Sequence, residues 1–213
     1  MSNYEVAQLH EIDEIDDGRE PFRPVRHHFG ISSFGVNAWT ARDAGDRIIN
    51  DHDEADGDEE LYVVVSGRAR FEIDGEQVDA PAGSFVFVRP AARRTAFAEE
   101  PGTTILAIGG TPGQPYEAGG WEIWAPFHRF YAAGDYAQAA DRGRGTIENS
   151  GYPGALYNLA CAESLAGRKD DAIRHLRMAM ERSERLRPFA AGDSDFDPIR
   201  DEPAFKELVG EKS

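Results

Sequence analysis

The chain has little cysteine, few basic residues relative to acidic ones, and no long apolar segment. Its single cysteine, Cys161, excludes an intramolecular disulfide framework and any zinc site built from several cysteines. The 39 Asp and Glu residues against 23 Lys and Arg residues give a formal net charge of -16. Such a charge repels nucleic-acid backbones and anionic lipid surfaces. We therefore expect neither nucleic acid nor a membrane as a partner.

Long apolar runs and targeting signals are also missing. No apolar run approaches the ~20 residues that span a bilayer. The acidic N-terminal segment MSNYEVAQLHEIDEIDDGRE lacks the basic and apolar regions of a signal peptide. The sequence thus predicts a cytoplasmic protein. A length of 213 residues with 40% hydrophobic content suffices for one large domain or two small ones with packed cores.

Short apolar runs of strand length fill residues 34–109. They are rich in β-branched and aromatic residues, and each is bounded by Gly, Pro, Asp or Ser. The pair Asp74-Gly75 lies between two runs and favours a tight hairpin turn, because both turn positions need positive φ. Many short antiparallel strands around a shared core predict a β-barrel or jelly roll. The runs are FGVNAWTA, DRIIN, ELYVVV, RARFEI, GSFVFV and TTILAIG.

The apolar period changes in the second half, where residues three and four apart predict amphipathic helices. Residues 134–139 match residues 167–172 at a shift of 33 residues. This shift is close to the period of about 34 residues in tetratricopeptide repeats, which the second copy resembles. The first copy departs from the repeat. It has Pro126 and Phe127 in place of leucine and a small residue, and Gly143 in place of a large apolar one.

These two patterns predict a β plus α protein of two domains. Residues 1–110 form a β-barrel with an N-terminal extension, and residues 111–120 form a Gly- and Pro-rich linker. Residues 121–213 form tetratricopeptide-like helices that end in a capping helix, which we expect to begin near Glu202. Two repeats are fewer than such arrays need for independent stability. We therefore expect the helices to pack on the barrel.

Residues 34–109 resemble the cupin superfamily, whose first motif runs H-x-H, three or four residues, Glu, six residues, Gly. Glu60 and Gly67 enclose the six residues LYVVVS and match the second half of this motif. With one inserted residue, His52 and Glu54 take the two histidine positions; without the insertion neither position holds a histidine. The resemblance implies a cupin-type antiparallel barrel, or jelly roll. The acidic run DHDEADGDEE then resembles a metal motif that has lost most of its nitrogen ligands.

The second cupin motif begins at Gly83 but has Arg94 in place of its histidine. In metal-binding cupins the motifs supply three histidines and one glutamate to a divalent metal ion such as Fe, Mn, Ni or Zn. Here the resemblance carries over at most His52, Glu54 and Glu60. An arginine cannot be a fourth ligand, because it keeps its proton. We therefore predict no metal cofactor, with a divalent transition metal at those three residues as the alternative.

A guanidinium that points into a small barrel needs a carboxylate partner, since a buried unpaired charge is costly. Arg94 either forms a structural ion pair with Glu60 and Glu54, which is the simpler expectation, or grips an anionic ligand in bidentate fashion. Tyr62 lies two residues from Glu60 and should face the same interior, as pocket lining or as core. The predicted ligand pocket comprises His52, Glu54, Glu60, Tyr62 and Arg94, with no catalytic residue.

The resemblance implies three roles. The first is a non-catalytic fusion of a cupin and a tetratricopeptide module, which binds a small anionic ligand or a protein partner in regulation or as a scaffold. The second is a metal-dependent cupin oxygenase or isomerase that uses His52, Glu54 and Glu60; the loss of two motif histidines counts against it. The third is dimerisation through the barrel, which predicts a homodimer. We favour the first and expect it to coexist with the third.

Overall fold

The computed structural model describes residues 3–16, 20–54, 57–116 and 118–210. The chain divides into two compact units, residues 1–117 and 118–213. Antiparallel β-sheets make up the first unit, and the second consists of helices. This order of fold classes agrees with the change of apolar period along the sequence.

The β unit contains two antiparallel sheets. One has five strands in the order β1-β2-β9-β4-β7, and the other has four in the order β3-β8-β5-β6. From β2 to β9 the chain changes sheet at every connection except the β5–β6 hairpin. Asp74 and Gly75 both take positive φ in the turn of this hairpin, as their sequence predicts. The elements are β1 Phe22–Arg23, α1 Val25–Phe29, β2 Gly35–Thr40, β3 Arg47–His52, β4 Glu59–Ser66, β5 Arg68–Ile73, β6 Glu76–Pro81, β7 Phe85–Val88, β8 Arg94–Ala98 and β9 Thr104–Gly110.

The core of the β unit lies between the two sheets. Tyr62 on β4 and Phe71 on β5 are both buried, and their ring centroids are 5.4 Å apart. Because these strands belong to different sheets, this contact identifies the two inner faces. Side chains alternate along a strand, so Glu60, Tyr62 and Val64 share the inner face of β4.

Four helices of the second unit form two successive hairpins. The second hairpin repeats the first, since α4 and α5 begin 33 residues after α2 and α3. Gly134 and Gly167 take positive φ in the two equivalent turns. Among the described residues, no helix has both the length and the apolar character that a membrane crossing needs. The helices are α2 Gly120–Ala132, α3 Tyr136–Ser150, α4 Pro153–Leu165, α5 Lys169–Arg182, α6 Arg187–Gly192 and α7 Pro203–Val209.

The first hairpin compensates internally for its departures from the repeat pattern. Phe127 stands where the second hairpin has Ala160, and Gly143 stands where it has Leu176, so a large and a small residue are exchanged. A Cβ atom on residue 143 would lie 3.1 Å from Cδ2 of Phe127, which is closer than ordinary contact. The missing side chain of Gly143 therefore makes room for the Phe127 ring, and the core stays filled.

Candidate functional site

Polar side chains from both sheets meet at one end of the space between them. His52 ends β3, and Arg94, the first residue of β8, lies directly opposite it in the strand pairing. Glu60 lies on β4 of the other sheet, where it pairs with Val88 on β7 and Gly109 on β9. The two sheets thus contribute His52, Arg94 and Glu60 to the same interior.

Glu60 is at the centre of the contacts. Its Oε2 atom lies 3.2 Å from Nη2 of Arg94 and 3.5 Å from Nε2 of His52. The same oxygen accepts a short hydrogen bond from the hydroxyl group of Tyr62. Oε1 of Glu54 lies 3.5 Å from Nε2 of His52. The structure therefore brings the five predicted pocket residues together.

Two glycines at this end of the interior make room for neighbouring side chains. A Cβ atom on Gly109 would lie 3.2 Å from Cγ of Glu60, so a larger residue there would displace the carboxylate. Gly35 pairs with Gly109, and a Cβ atom on it would lie 2.7 Å from the hydroxyl oxygen of Tyr116. Tyr116, from the segment predicted to be a linker, thus packs against the β unit beside the candidate site.

The guanidinium of Arg94 is completely buried, and the described residues offer it an ion-pair contact but no hydrogen bond. The residue has 0% exposure, and none of its three nitrogens has a hydrogen-bond partner among the described residues. The approach of Nη2 to Glu60 is therefore an ion pair without hydrogen-bond geometry. Within the described parts of the chain, Arg94 forms no ion pair with Glu54, the second carboxylate that we expected to hold it.

The contacts determine the protonation states of the site. Burial alone lowers the pKa of His52, but hydrogen bonds with Glu54 and Glu60 outweigh it and raise the pKa to about 10. Burial tends to raise the pKa of Glu60, whereas His52, Tyr62 and Arg94 together lower it below its usual value. Burial, reinforced by Glu60, raises the pKa of Tyr62. At neutral pH the site thus holds an imidazolium, an ionised Glu60 and a neutral phenol beside the guanidinium.

A divalent metal ion fits these residues poorly. His52, Glu54 and Glu60 each place one ligand atom within 4.8 Å of the others, as a three-ligand site requires. His52, however, holds a proton that a metal would have to displace. The cationic Arg94 also lies 3.2 Å from a carboxylate oxygen that the metal would need. The positive charge at this position is already supplied by the protein, and we derive no reaction step through a metal.

Asn37 is a polar residue of the same interior that the sequence analysis missed. It pairs with Ala107 on β9, which in turn pairs with Tyr62 on β4, so the three side chains form one row on the inner face. Asn37 is only 5% exposed, and its Oδ1 atom has no hydrogen-bond partner among the described residues. An amide inside the apolar run FGVNAWTA was the available signal.

A second buried charge cluster lies in the helical unit. The ring of His175 on α5 contacts Glu163 on α4 at 2.5 Å through Nδ1, and Glu148 on α3 at 2.8 Å through Nε2. Arg144 donates to the other oxygen of Glu163 and to Asp171. Burial lowers the pKa of His175, but the two carboxylates outweigh it and raise the pKa. This histidine is thus part of an ionic network that joins α3, α4 and α5.

Several solved structures are similar to part of the chain, whereas no protein-family model and no curated protein matches it. A cupin protein from Bacteroides fragilis is 21% identical, with 54% of this chain and 89% of that chain covered and a TM-score of 0.40. KdgF from Halomonas sp. is 18% identical, with 47% of this chain and 86% of that chain covered and a TM-score of 0.39. A sugar phosphate isomerase from a cupin superfamily, from Silicibacter pomeroyi, is 16% identical, with 49% of this chain and 74% of that chain covered and a TM-score of 0.42. These likenesses are too distant to define the chemistry of the site.

Proposed function

We propose that the β unit binds a small carboxylate anion through Arg94. The observation that supports this function is a fully buried guanidinium whose nitrogens have no hydrogen-bond partner among the described residues. Leaving such a group unsatisfied is costly. A carboxylate accepts two parallel hydrogen bonds from one edge of a guanidinium, so a bound ligand would supply the missing acceptors.

The charges around Arg94 favour a monoanion over a dianion. Oε2 of Glu60 lies 3.2 Å from Nη2 of Arg94. Glu54 is part of the same cluster, because its Oε1 atom lies 3.5 Å from Nε2 of His52. A phosphate group carries nearly two negative charges at neutral pH and would be repelled more strongly than a carboxylate by these two residues. The protonated His52 offsets part of the repulsion for a single negative charge.

Access to Arg94 requires a movement of the side chains above it. The nitrogens of Arg94 are shielded from solvent, whereas the side chains of His52 and Glu54 are 23% and 30% exposed. Rotation of these two side chains would open a route to the guanidinium, but His52 would first have to give up its contacts with Glu54, Glu60 and the carbonyl oxygen of Asn50. We therefore expect slow association kinetics relative to an open surface site.

We infer that the scaffold of this site is a cupin-type jelly roll. Its support is the strand connectivity, in which the chain changes sheet at nearly every step between two antiparallel sheets. In such a scaffold Arg94 takes the position of the motif histidine and acts as a fixed cation where metal-binding relatives hold an ion. The β unit then works as a non-catalytic binding module.

We also infer that the helical unit is a short tetratricopeptide-like module. The 33-residue spacing of the two hairpins and their equivalent glycine turns support this interpretation. Such modules generally bind peptides, so a ligand-binding unit joined to one suggests a regulatory or scaffold role by fold analogy. A protein or peptide remains the expected partner of this unit.

We expect a homodimer formed through strand β7. This strand is an edge of the five-stranded sheet, and Phe85 and Phe87 on it are 70% and 50% exposed. An apolar edge strand pairs readily with a second copy about a twofold axis. Light scattering should detect a dimer that the double substitution Phe85→Glu and Phe87→Glu converts to a monomer. A monomeric wild type would contradict this expectation.

Titration calorimetry tests the carboxylate site directly. The dialysed protein is titrated with acetate, propionate and lactate, beside Arg94→Met, Arg94→Lys and the control Arg93→Met, whose arginine is exposed and paired with Asp51. We expect binding by the wild type and by Arg93→Met, and none by Arg94→Met. Arg94→Lys should bind about tenfold more weakly or worse, because it loses the planar fork. Equal binding by Arg94→Met would refute the proposal.

Elemental analysis separates this function from the metal-dependent alternative. Near-stoichiometric Fe, Mn, Ni or Zn in the wild type, lost in both His52→Ala and Glu60→Ala, would support a cupin oxygenase or isomerase. We expect instead a metal-free protein after dialysis against a weak chelator, with carboxylate binding retained.

A further inference from the structure

We infer that the ligand is a hydroxycarboxylate whose hydroxyl group binds Asn37. This inference rests on the proposed binding of a carboxylate at Arg94 and adds a second recognition group to the same site. Both residues are more than nine-tenths buried, and each has polar atoms without a hydrogen-bond partner among the described residues. Two unsatisfied buried groups in one interior are costly separately, and a single bifunctional ligand would satisfy both.

Asn37 faces the interior that holds Arg94. Its row on the larger sheet continues through Ala107 to Tyr62, and the Tyr62 ring packs against Phe71 of the opposite sheet. Cross-strand neighbours lie on the same face of a sheet, so the amide of Asn37 faces inward as Tyr62 does. Tyr62 is two residues beyond Glu60 on β4, which places Asn37 one row deeper than the ion pair of Glu60 with Arg94.

Residues with small side chains lie between Asn37 and Glu60 on the inner face of the larger sheet. Asn37 on β2 and Glu60 on β4 are separated by strand β9 and lie in neighbouring cross-strand rows. This arrangement puts their Cα atoms about 12 Å apart. Gly35 and Gly109 lie in the row of Glu60, where Tyr116 covers Gly35 and Glu60 covers Gly109. Ala107 lies between Asn37 and Tyr62. A ligand that reaches both Arg94 and Asn37 needs a short carbon chain between its carboxylate and its hydroxyl group.

The chemistry of an amide selects a hydroxyl group. The Oδ1 and Nδ2 atoms of Asn37 exchange places on rotation of the side chain, so the interior meets either an acceptor or a donor. A hydroxyl group donates one hydrogen bond and accepts others, and therefore satisfies Asn37 in both orientations. An ammonium group or a keto oxygen satisfies only one orientation. The preferred ligand class is thus a small hydroxycarboxylate.

Matched ligand pairs test the inference. Calorimetry compares glycolate with acetate, lactate with propionate, 3-hydroxybutyrate with butyrate and 6-hydroxyhexanoate with hexanoate. The proteins are the wild type, Asn37→Leu, Asn37→Val and the surface control Gln77→Leu, each checked for folding by circular dichroism. Asn37→Val removes the amide with a side chain that suits a strand, should Asn37→Leu fold poorly.

The wild type and Gln77→Leu should bind at least one hydroxy acid about tenfold more tightly than its unhydroxylated counterpart, as one buried hydrogen bond implies. The Asn37 variants should lose this preference while they keep the affinity for the unhydroxylated acid. The inference is overturned if the Asn37 variants keep the preference for the hydroxy acid, or if the wild type shows no preference in any pair. In either case, binding of acetate or propionate that depends on Arg94 would still support the carboxylate site. Failure of all eight acids to bind would contradict both.

Discussion

Each unit of the molecule buries a charged cluster, and the two clusters differ in how far their buried charges are hydrogen-bonded. Among the described residues, the helical cluster leaves only Nε of Arg144 without a partner, whereas the β cluster leaves all three nitrogens of Arg94 without one. In the helical unit, His175 contacts a carboxylate at each ring nitrogen, and Glu163 also accepts from Arg144. In the β unit, Arg94 is just as deeply buried, yet it has an ion-pair contact with Glu60 and no hydrogen bond among the described residues.

This difference separates a structural cluster from a binding cluster. Buried charges that are hydrogen-bonded to one another hold together the elements that carry them. Removing one of them therefore lowers the free energy of unfolding. An unsatisfied buried guanidinium destabilises the fold by its desolvation, and an additional partner would offset that cost. Burial alone therefore does not distinguish the two roles. The difference lies in whether the most deeply buried charged groups have hydrogen-bond partners: His175 and Glu163 have them, and the described residues give Arg94 none.

The largest effect should follow from breaking the helical cluster, in which His175 and Glu163 are both hydrogen-bonded. Glu163→Gln removes a fully buried charge that faces both His175 and Arg144, and should lower the free energy of unfolding by about 3 kcal/mol. Urea unfolding followed by circular dichroism at 222 nm reports on the helices. The control Glu181→Gln, on the exposed face of α5, should change the value by less than about 0.5 kcal/mol. Equal effects of the two substitutions would refute a structural role for the cluster.

A pH-dependent loss of stability should accompany the same cluster. The pKa of His175 is raised from 6.5, because Glu163 and Glu148 outweigh burial and the repulsion of Arg174. Its stabilising contribution is therefore complete below about pH 6.5 and disappears as the pH rises through the raised pKa. The difference in unfolding free energy between the wild type and His175→Gln should shrink toward alkaline pH in urea titrations. A difference that grows with pH would contradict this assignment.

The smallest effect on stability should come from Arg94→Met. The substitution removes a charge without completed hydrogen bonds and leaves Glu60 with His52 and Tyr62 as partners. We expect the local free energy of unfolding to fall by less than about 1 kcal/mol or to rise, because the desolvation cost of the guanidinium is removed while Glu60 keeps two partners. Hydrogen exchange of amides in β4, β8 and β9 measures this value. A loss as large as that of Glu163→Gln would make Arg94 a structural residue.

Sequence patterns predicted which residues meet more reliably than how they interact. Strand alternation placed Glu60 and Tyr62 on one face, and the Asp74-Gly75 turn is where its sequence predicts. The Phe127 and Gly143 positions looked like departures from a repeat, because the compensating exchange only becomes visible once the two helices are packed.

The state of the candidate site was beyond sequence reasoning. Whether the nitrogens of Arg94 meet an acceptor depends on the angle at which a side chain from one sheet reaches a side chain from the other. The partners of His175 lie 12 and 27 residues away, on different helices, and no periodicity predicts them. Asn37 escaped notice because one polar residue does not disturb the strand pattern around it.

Nuclear magnetic resonance of the Arg94 side chain tests the central claim most directly. The Nε–H signal of Arg94 in protein labelled with ¹⁵N-arginine is identified by its absence from Arg94→Met. The account predicts that glycolate or acetate shifts this signal in a saturable way, while the signal of the exposed Arg93 stays in place. An Arg94 signal that no carboxylate moves would show that the guanidinium is not a binding group, and would contradict the account.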